Sequence, residues 1–387
     1  MKKRSAFTRA TARAAVALST AATLVAGAVA ACAAADPASS SSAAASPLSR
    51  LTPLQLVGQR VIYSYTGLTP PASLLSRISH GEAAGVIFFG GNISSEAQIR
   101  RVIKTLEAAD ASPHNPVRAP LLLMTDQEGG EVRRLPGAPA KSEKQIGQAA
   151  HPGAAATAAG AGAGANLLGV GMNVNLAPVL DVYRKAGDFD DQFQRSYSRN
   201  PRVVSRLGAD FIRAQQKAGV AVTAKHFPGL GAATASQNTD TGPVTLHLPA
   251  ATIRGVDELP YHAAIAAGVK LVMVSWAVYP SLDPKRPAGL SSVIVGRELR
   301  ARLGFTGVTI TDALEAGALK AFGSIGHRAV LAAGAGLDLI LCADGSGAEG
   351  TAAMDGLRTA YHDGAQGHAA FRAAVTRIIA LRRGLPG

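Results

Sequence analysis

Short apolar runs separated by longer amphipathic stretches recur along the chain from Pro47 onward. Eight of these runs read as strands: Val61–Tyr65, Gly85–Phe89, Pro120–Thr125, Val174–Asp181, Ala221–Lys225, Leu271–Val278, Val308–Asp312 and Leu337–Cys342. They are continuously apolar rather than alternating, and Gly, Pro or polar residues bound them. That pattern predicts parallel strands covered on both faces. Between them, Ser94–Ala109, Arg202–Ala218, Ile253–Ala267 and Leu319–Ala335 repeat apolar residues at three- and four-residue spacing, and Ala369–Arg383 predicts a C-terminal helix. Asn200-Pro201 is a start signal for the second of these helices. Eight strands alternating with helices predict one α/β domain, a (β/α)₈ barrel. A doubly wound open sheet is the other arrangement, but no Gly-x-Gly-x-x-Gly follows a strand as a dinucleotide site requires. Gly160–Gly164 lies in an Ala-rich helical stretch and reads as close helix packing.

The N-terminus differs from this pattern. Five basic residues among the first 13 precede an uncharged stretch from Ala14 to Ala31, the parts of a secretory signal. Cys32 directly follows Val29-Ala30-Ala31, which resembles a bacterial lipobox; the resemblance implies cleavage there and a lipid on Cys32. The alternatives are a plain signal peptide and a membrane anchor, for which the stretch is marginally long. Ala33 to Ser46 is almost entirely Ala, Ser, Asp and Pro and reads as a flexible tether. The expected divisions are therefore a signal over 1–31, a tether over 32–47 and the barrel over 48–387, anchored to a membrane outside the cytoplasm.

Charge adds little. The whole chain carries +13; removing those five basic residues from the 39 Lys and Arg leaves 34 against 26 Asp and Glu, or +8. No basic run with interleaved aromatics appears, so no nucleic-acid partner is expected. The excess suits either anionic surfaces such as cell-wall polymers or a simple solvated exterior. Cys342 is the one Cys of the body; it sits in an apolar run and reads as a buried thiol. No His/Cys cluster has metal-ligand spacing, and no cofactor is expected.

Candidate chemistry concentrates where strands end. The third is followed by Thr125-Asp126-Gln127-Glu128-Gly129-Gly130 and then Arg133-Arg134, the fourth ends at Asp181, the fifth gives Lys225-His226, and the seventh gives Asp312. A single carboxylate at a strand end often only caps the next helix. Four polar strand ends on one barrel face predict a common site.

These same segments carry a family resemblance. Asp126-Gln127-Glu128-Gly129-Gly130, Lys225-His226-Phe227-Pro228-Gly229 and Thr311-Asp312-Ala313-Leu314 resemble the signatures of glycoside hydrolase family 3, in the family's order. The nearest branch is the single-domain β-N-acetylglucosaminidases that process peptidoglycan sugars, and the resemblance runs from about Leu51 to Cys342. It implies a retaining hydrolase in which Asp312 attacks the anomeric carbon. It also implies that Asp126, Arg134, Arg195, Lys225 and His226 hold sugar hydroxyls, for which charged, fixed donors and acceptors are suited. Arg195 follows a variable loop and reads otherwise as a surface cation. Peptidoglycan fragments, or other β-linked N-acetylglucosamine saccharides, are the implied partners. A β-glucosidase, a phosphorylase of the same family and a sugar-binding lipoprotein without turnover are the competing readings.

One departure bears on mechanism. The branch follows its Lys-His-Phe-Pro-Gly segment with a loop bearing an Asp-x-His pair whose His is the acid/base. Those positions here are Ser236 and Asn238, and Asn cannot exchange a proton at neutral pH. Three explanations stand: Asp240 takes the role, another group such as Glu128, His247 or a partner chain does, or turnover is weak or absent. Glu131 replaces an Arg common in the family after Gly-Gly, and Trp276, the single Trp, reads equally as a sugar platform or as core.

Overall fold

The computed structural model describes residues 47–365 and 367–386. The signal, Cys32 and the tether as far as Ser46 lie outside the described residues. Eight parallel strands form one sheet: β1 (Val61–Tyr63), β2 (Gly85–Ile87), β3 (Leu122–Thr125), β4 (Val174–Asn175), β5 (Ala221–Phe227), β6 (Leu271–Val274), β7 (Val308–Thr311) and β8 (Ile340–Leu341). Each pairs with its neighbour in sequence, and β8 pairs back onto β1 through Val61–Ile340 and Ile62–Leu341. The last gap, between β7 and β8, is bridged at Ile310–Leu339. The sheet is therefore a barrel, as the apolar runs predicted.

Strand alternation sorts the core into two layers. Ile62, Leu122, Met124, Leu271, Met273, Val308 and Ile310 fill the barrel interior. Their neighbours Val61, Tyr63, Leu123, Val272 and Val274 face outward into the layer beneath the helices. The helix His368–Arg383 closes the bottom: Ile378 joins the interior cluster, and buried Arg382 donates to the carbonyls of Ala119 and Pro120 ahead of β3. The opposite, C-terminal end of the strands is left to the loops.

Helix boundaries follow local chemistry. Ser95 caps Glu96–Asp110, and the Asn200 side chain accepts from Arg202 N at the start of Pro201–Lys217. Gly160 and Gly164 do permit close packing: a Cβ at Gly160 would stand 2.3 Å from the Phe211 carbonyl oxygen, and one at Gly164 2.7 Å from Ala218 Cβ. Among the described residues no helix is long and apolar enough to cross a membrane.

Several strands and helices are shorter than their sequence pattern. The run Val174–Asp181 pairs regularly only at Val174–Asn175, because Pro178 has no N–H to give a ladder; Val179 makes one isolated bridge to Lys225. The run Leu271–Val278 leaves the barrel after Val274, and Val278–Tyr279 turns back as a hairpin with Asp283–Pro287. Ile253–Ala267 is interrupted, with a π-helical stretch over Ile253–Asp257 before Leu259–Ala266. Leu319–Ala335 divides at Gly323, whose φ of 78° no helix accommodates, into Gly317–Phe322 and Ile325–Ala335.

Candidate active site

A cavity of about 440 Å³ opens at the C-terminal ends of the strands. All seven residues picked out for catalysis or sugar binding line it: Asp126, Arg134, Arg195, Lys225, His226, Asp240 and Asp312. They come from the ends of β3, β5 and β7 and from the loops after β4 and β5.

Lys225 and His226 are adjacent, and adjacent side chains of a regular strand point to opposite faces. Both reach the cavity because β5 bulges here. Ala224 pairs with Val272 and Phe227 with Val274, so two residues of β5 stand against one of β6.

A buried ionic net forms one wall. Lys225 Nζ lies 2.7 Å from both Asp126 Oδ1 and Glu128 Oε1. Arg195 grips Glu128 with two donors, Nε to Oε2 and Nη2 to Oε1, each at 2.9 Å. The Glu128 side chain is 1% exposed. Burial alone would raise its carboxyl, but the Arg195 and Lys225 cations prevail and hold it at about 2. Burial likewise opposes the charge on Lys225, and Asp126 with Glu128 more than restores it. Arg195 is thus part of the net rather than a surface cation. Arg134 is fixed through its backbone, whose N–H donates to the Asp126 carbonyl; its Nε is buried without a protein partner. The Gln127 side chain folds this hairpin by bonding the backbone of Leu135 and Ala138.

Of the carboxyls behind the net, the sequence marked Asp181 as a polar strand end without a role, and Asp190 and Glu143 were not picked out. His226 Nδ1 pairs with Asp181 Oδ2 at 2.7 Å, and Asp181 Oδ1 accepts from Leu230 N at 2.6 Å. Burial disfavours the imidazolium, yet Asp181 outweighs it and raises His226. Asp190 approaches Arg195 Nη1 at 3.4 Å; burial, then the Asp181 charge, pushes it up to about 7. Glu143 accepts from Val179 N, and burial followed by the Glu128 charge raises it well above the usual range. Asp181 carried a signal, a carboxylate set within an apolar run; Asp190 and Glu143 lie in polar segments that carry none. Among the described residues, Asp181, Asp190 and His226 offer ligand atoms within 4.8 Å of one another. In this cluster His226 is paired with Asp181 and Arg195 with Asp190, which accounts for its charges without an ion.

The opposite wall is made by two loops. Asp312 Oδ1 accepts from Ala313 N at 2.8 Å. Trp276 is 1% exposed, and its Nε1 donates to the Ala313 carbonyl at 2.8 Å. A Cβ at Gly289 would strike its ring at 2.4 Å. Trp276 is therefore core, bracing the turn that carries Asp312. Asn238 lines the cavity but serves as a turn former: its side chain accepts from Asp240 N at 2.8 Å. The carbonyls of Thr239 and Asp240 accept from the N–H groups of Ala318 and Gly317 at 3.0 and 2.8 Å, docking this loop on the segment beyond Asp312. Asp240 is exposed to the open cavity, yet protein encloses it on the inner side. That enclosure, then the Asp312 charge, raises its carboxyl. His247 is exposed and is not among the residues that line the cavity, and Glu131 is exposed.

Comparison with known proteins places this geometry. The chain is 45% identical over 327 residues to an uncharacterized secreted glycosyl hydrolase of Arthroderma benhamiae, covering 84% of this chain and 92% of that one. It is 32% identical over 289 residues to a β-hexosaminidase of Xanthomonas oryzae pv. oryzae, covering 73% and 83%. Its fold superimposes with a TM-score of 0.80, at 34% identity, on a family 3 β-N-acetylglucosaminidase from Paenibacillus sp. str. FPU-7, covering 86% of this chain and 62% of that longer one. The profile of the glycosyl hydrolase family 3 N terminal domain matches residues 55–381, nearly the whole barrel, and the chain belongs to that family.

Proposed function

We propose that the protein is a retaining exo-β-N-acetylglucosaminidase that removes β-linked N-acetylglucosamine from the non-reducing ends of peptidoglycan fragments. The observation that carries this reading is the single cavity in which Asp312 and Asp240 stand together opposite the Asp126, Glu128, Arg195 and Lys225 net. The kinship with a β-hexosaminidase and a β-N-acetylglucosaminidase supports the sugar class.

In the first step Asp312 attacks the anomeric carbon, the glycosidic C–O bond breaks, and Asp240 gives its proton to the leaving oxygen. In the second, Asp240 takes a proton from water, the water oxygen bonds to the anomeric carbon, and the Asp312 ester bond breaks. A general acid needs a raised carboxyl, which is the direction at Asp240. Glu128, held at about 2 by its two cations, has no proton to give. Asp126, Arg134, Arg195, Lys225 and His226, which line the same cavity, hold the sugar hydroxyls. The chain acts outside the cytoplasm, tethered by a lipid on Cys32; the description of its fungal relative as secreted fits an extracytoplasmic site.

Hydrolysis of a chromogenic β-N-acetylglucosaminide beside the matching β-glucoside tests this. The N-acetyl substrate should be preferred. Asp312→Asn should lower kcat by at least ~10³-fold, the scale of losing a covalent nucleophile. Asp240→Asn should lower it ~10²–10⁴-fold, and less with a leaving group that needs no proton. Sugar 1-phosphate as product would instead indicate a phosphorylase. Binding without turnover, with or without phosphate, would make the protein a sugar-binding one.

A further inference from the structure

The turn that carries Asp312 is tied down through three of its backbone groups. Trp276 Nε1 holds the Ala313 carbonyl, Arg328 Nη1 the Leu314 carbonyl at 3.1 Å, and Leu314 N donates to the Leu341 carbonyl at 3.0 Å. Besides Asp312, the titratable side chain of the turn that lines the cavity is Glu315, which the chemistry above does not use.

Glu315 Oε2 is buried with no hydrogen-bond partner. Across from it, at the start of the helix Gly347–His362 beyond β8, lies Glu349, 3% exposed. Glu349 Oε2 accepts from Asp344 N at 3.0 Å, but its Oε1 is also buried and unpartnered. The two side chains are close enough to hydrogen-bond to each other. Two ionised carboxylates cannot do so, since both only accept; one proton between them supplies the donor and satisfies both orphan oxygens.

Among the described residues no Lys, Arg or His forms an ion pair with either carboxyl. The titratable groups around the pair are Asp344, whose oxygens accept from Ser346, Cys342 at the end of β8, and Asp312 three residues before Glu315. On the β1 side, Ser64 and Thr66 hold Gly345 by neutral hydrogen bonds. Backbone N–H groups, among them Asp344 N on Glu349, favour the ionised forms, but no cation compensates a second negative charge here. Burial raises both carboxyls, Glu349 to about 9.

We propose that Glu315 and Glu349 share one proton as a strut that ties the Asp312 turn to the β8 loop, and that this strut positions Asp312 for attack on the sugar. Glu349 is a positioning residue: it acts through Glu315 and the turn. Loss of the proton sets two carboxylates against each other and releases the turn. The inference rests on Asp312 as the nucleophile.

The test compares E349A and E349Q in the otherwise intact protein, with an aryl β-N-acetylglucosaminide whose leaving group needs no proton, so that Asp240 is required only as the base of the second step and its deprotonation adds no alkaline limb to the pH profile. Wild type should lose kcat as pH rises toward about 9. E349A should lower kcat at neutral pH by about tenfold or more with KM little changed, because the sugar-holding net is untouched. In E349Q the amide donates permanently, so kcat should recover toward wild type and the alkaline loss should disappear. E349Q no better than E349A, or an alkaline limb unchanged in E349Q, would overturn the proposal. Thermal unfolding reads the same proton without turnover. The native state keeps a proton that the unfolded carboxyl loses near 4.5, so the wild-type Tm should fall between pH 4.5 and about 9 while E349Q stays flatter. Parallel Tm curves would also sink the strut. An inactive wild type whose Tm still shows this difference would count against the nucleophile reading and leave the shared proton in place.

Discussion

The two walls of the cavity are built on opposite principles. On one, the acids Asp126 and Glu128 and the cations Lys225 and Arg195 neutralise one another at 2.7–2.9 Å before any sugar arrives. On the other, Asp240 stands exposed on a loop held by backbone hydrogen bonds to Gly317 and Ala318. Fixed charge suits a task that does not change through the reaction, orienting hydroxyls in a dry site with no reorganisation. A group that must give and regain a proton cannot be locked this way: the same Arg195 and Lys225 that order Glu128 deprive it of protons across the working range.

The largest expected effect comes from breaking the buried wall. Glu128→Ala leaves Arg195 with only the 3.4 Å contact to Asp190 and Lys225 with only Asp126. An uncompensated buried charge costs about 3–5 kcal/mol, which a shift in denaturant midpoint would measure. The pH dependence has a definite sign. With its carboxyl lowered to about 2 in the fold, Glu128 contributes stability that is full above the unfolded value of 4.5 and is lost as pH falls toward about 2. Glu128→Ala should therefore flatten the acid limb of stability. A midpoint within about 1 kcal/mol of wild type would mean that the net is no more than a set of surface ion pairs.

The same contrast explains what could be read in the chain. Asp126, Lys225, His226 and Asp312 were visible because each follows a continuous apolar run, and a barrel sends all such ends to one face. The pairings that set their charge were not. Arg195 meets Glu128 across 67 residues and His226 meets Asp181 across 45, and no local pattern encodes such contacts. Glu349, in the first turn of the helix after β8, carried no sign of the Asp312 turn it braces. Trp276 stayed ambiguous since a sugar platform and a core ring share the same apolar neighbours; the close approach of Gly289 beneath it decides for core. Strand lengths were overestimated where a Pro interrupts the run, at Pro178, and where the chain leaves the barrel for a hairpin, after Val274.

A smaller effect should follow from loosening the exposed wall. A Cβ at Gly317 would lie 2.3 Å from the Thr241 carbonyl carbon and oxygen, so Gly317→Ala must push the 238–242 loop off the Asp312 segment. The cost in stability should be about 1–3 kcal/mol, the scale of overpacking. The kinetic signature should be selective: kcat/KM, which reports the first step, falls for substrates whose leaving group needs a proton and holds for an activated aryl leaving group. Equal loss with both would place the damage at Asp312 instead.

The smallest and most local change is Asn238→Ala. Its side-chain oxygen accepts from Asp240 N, an Asx-type turn that sets the backbone of the proton donor, while the Asn238 carbonyl independently accepts from Thr241 and Gly242 N–H. Alanine keeps the second pair of bonds and loses the first, so the turn should persist with a looser Asp240. Stability should change by no more than ~1 kcal/mol, the scale of one solvent-accessible hydrogen bond. The rate with an unactivated disaccharide should fall a few-fold, and Asn238→Asp, which keeps the acceptor, should restore most of it. If Asn238→Ala instead matched Asp240→Asn in rate, Asn238 would be part of the proton path itself. The exposed wall would then be as tightly specified as the buried one.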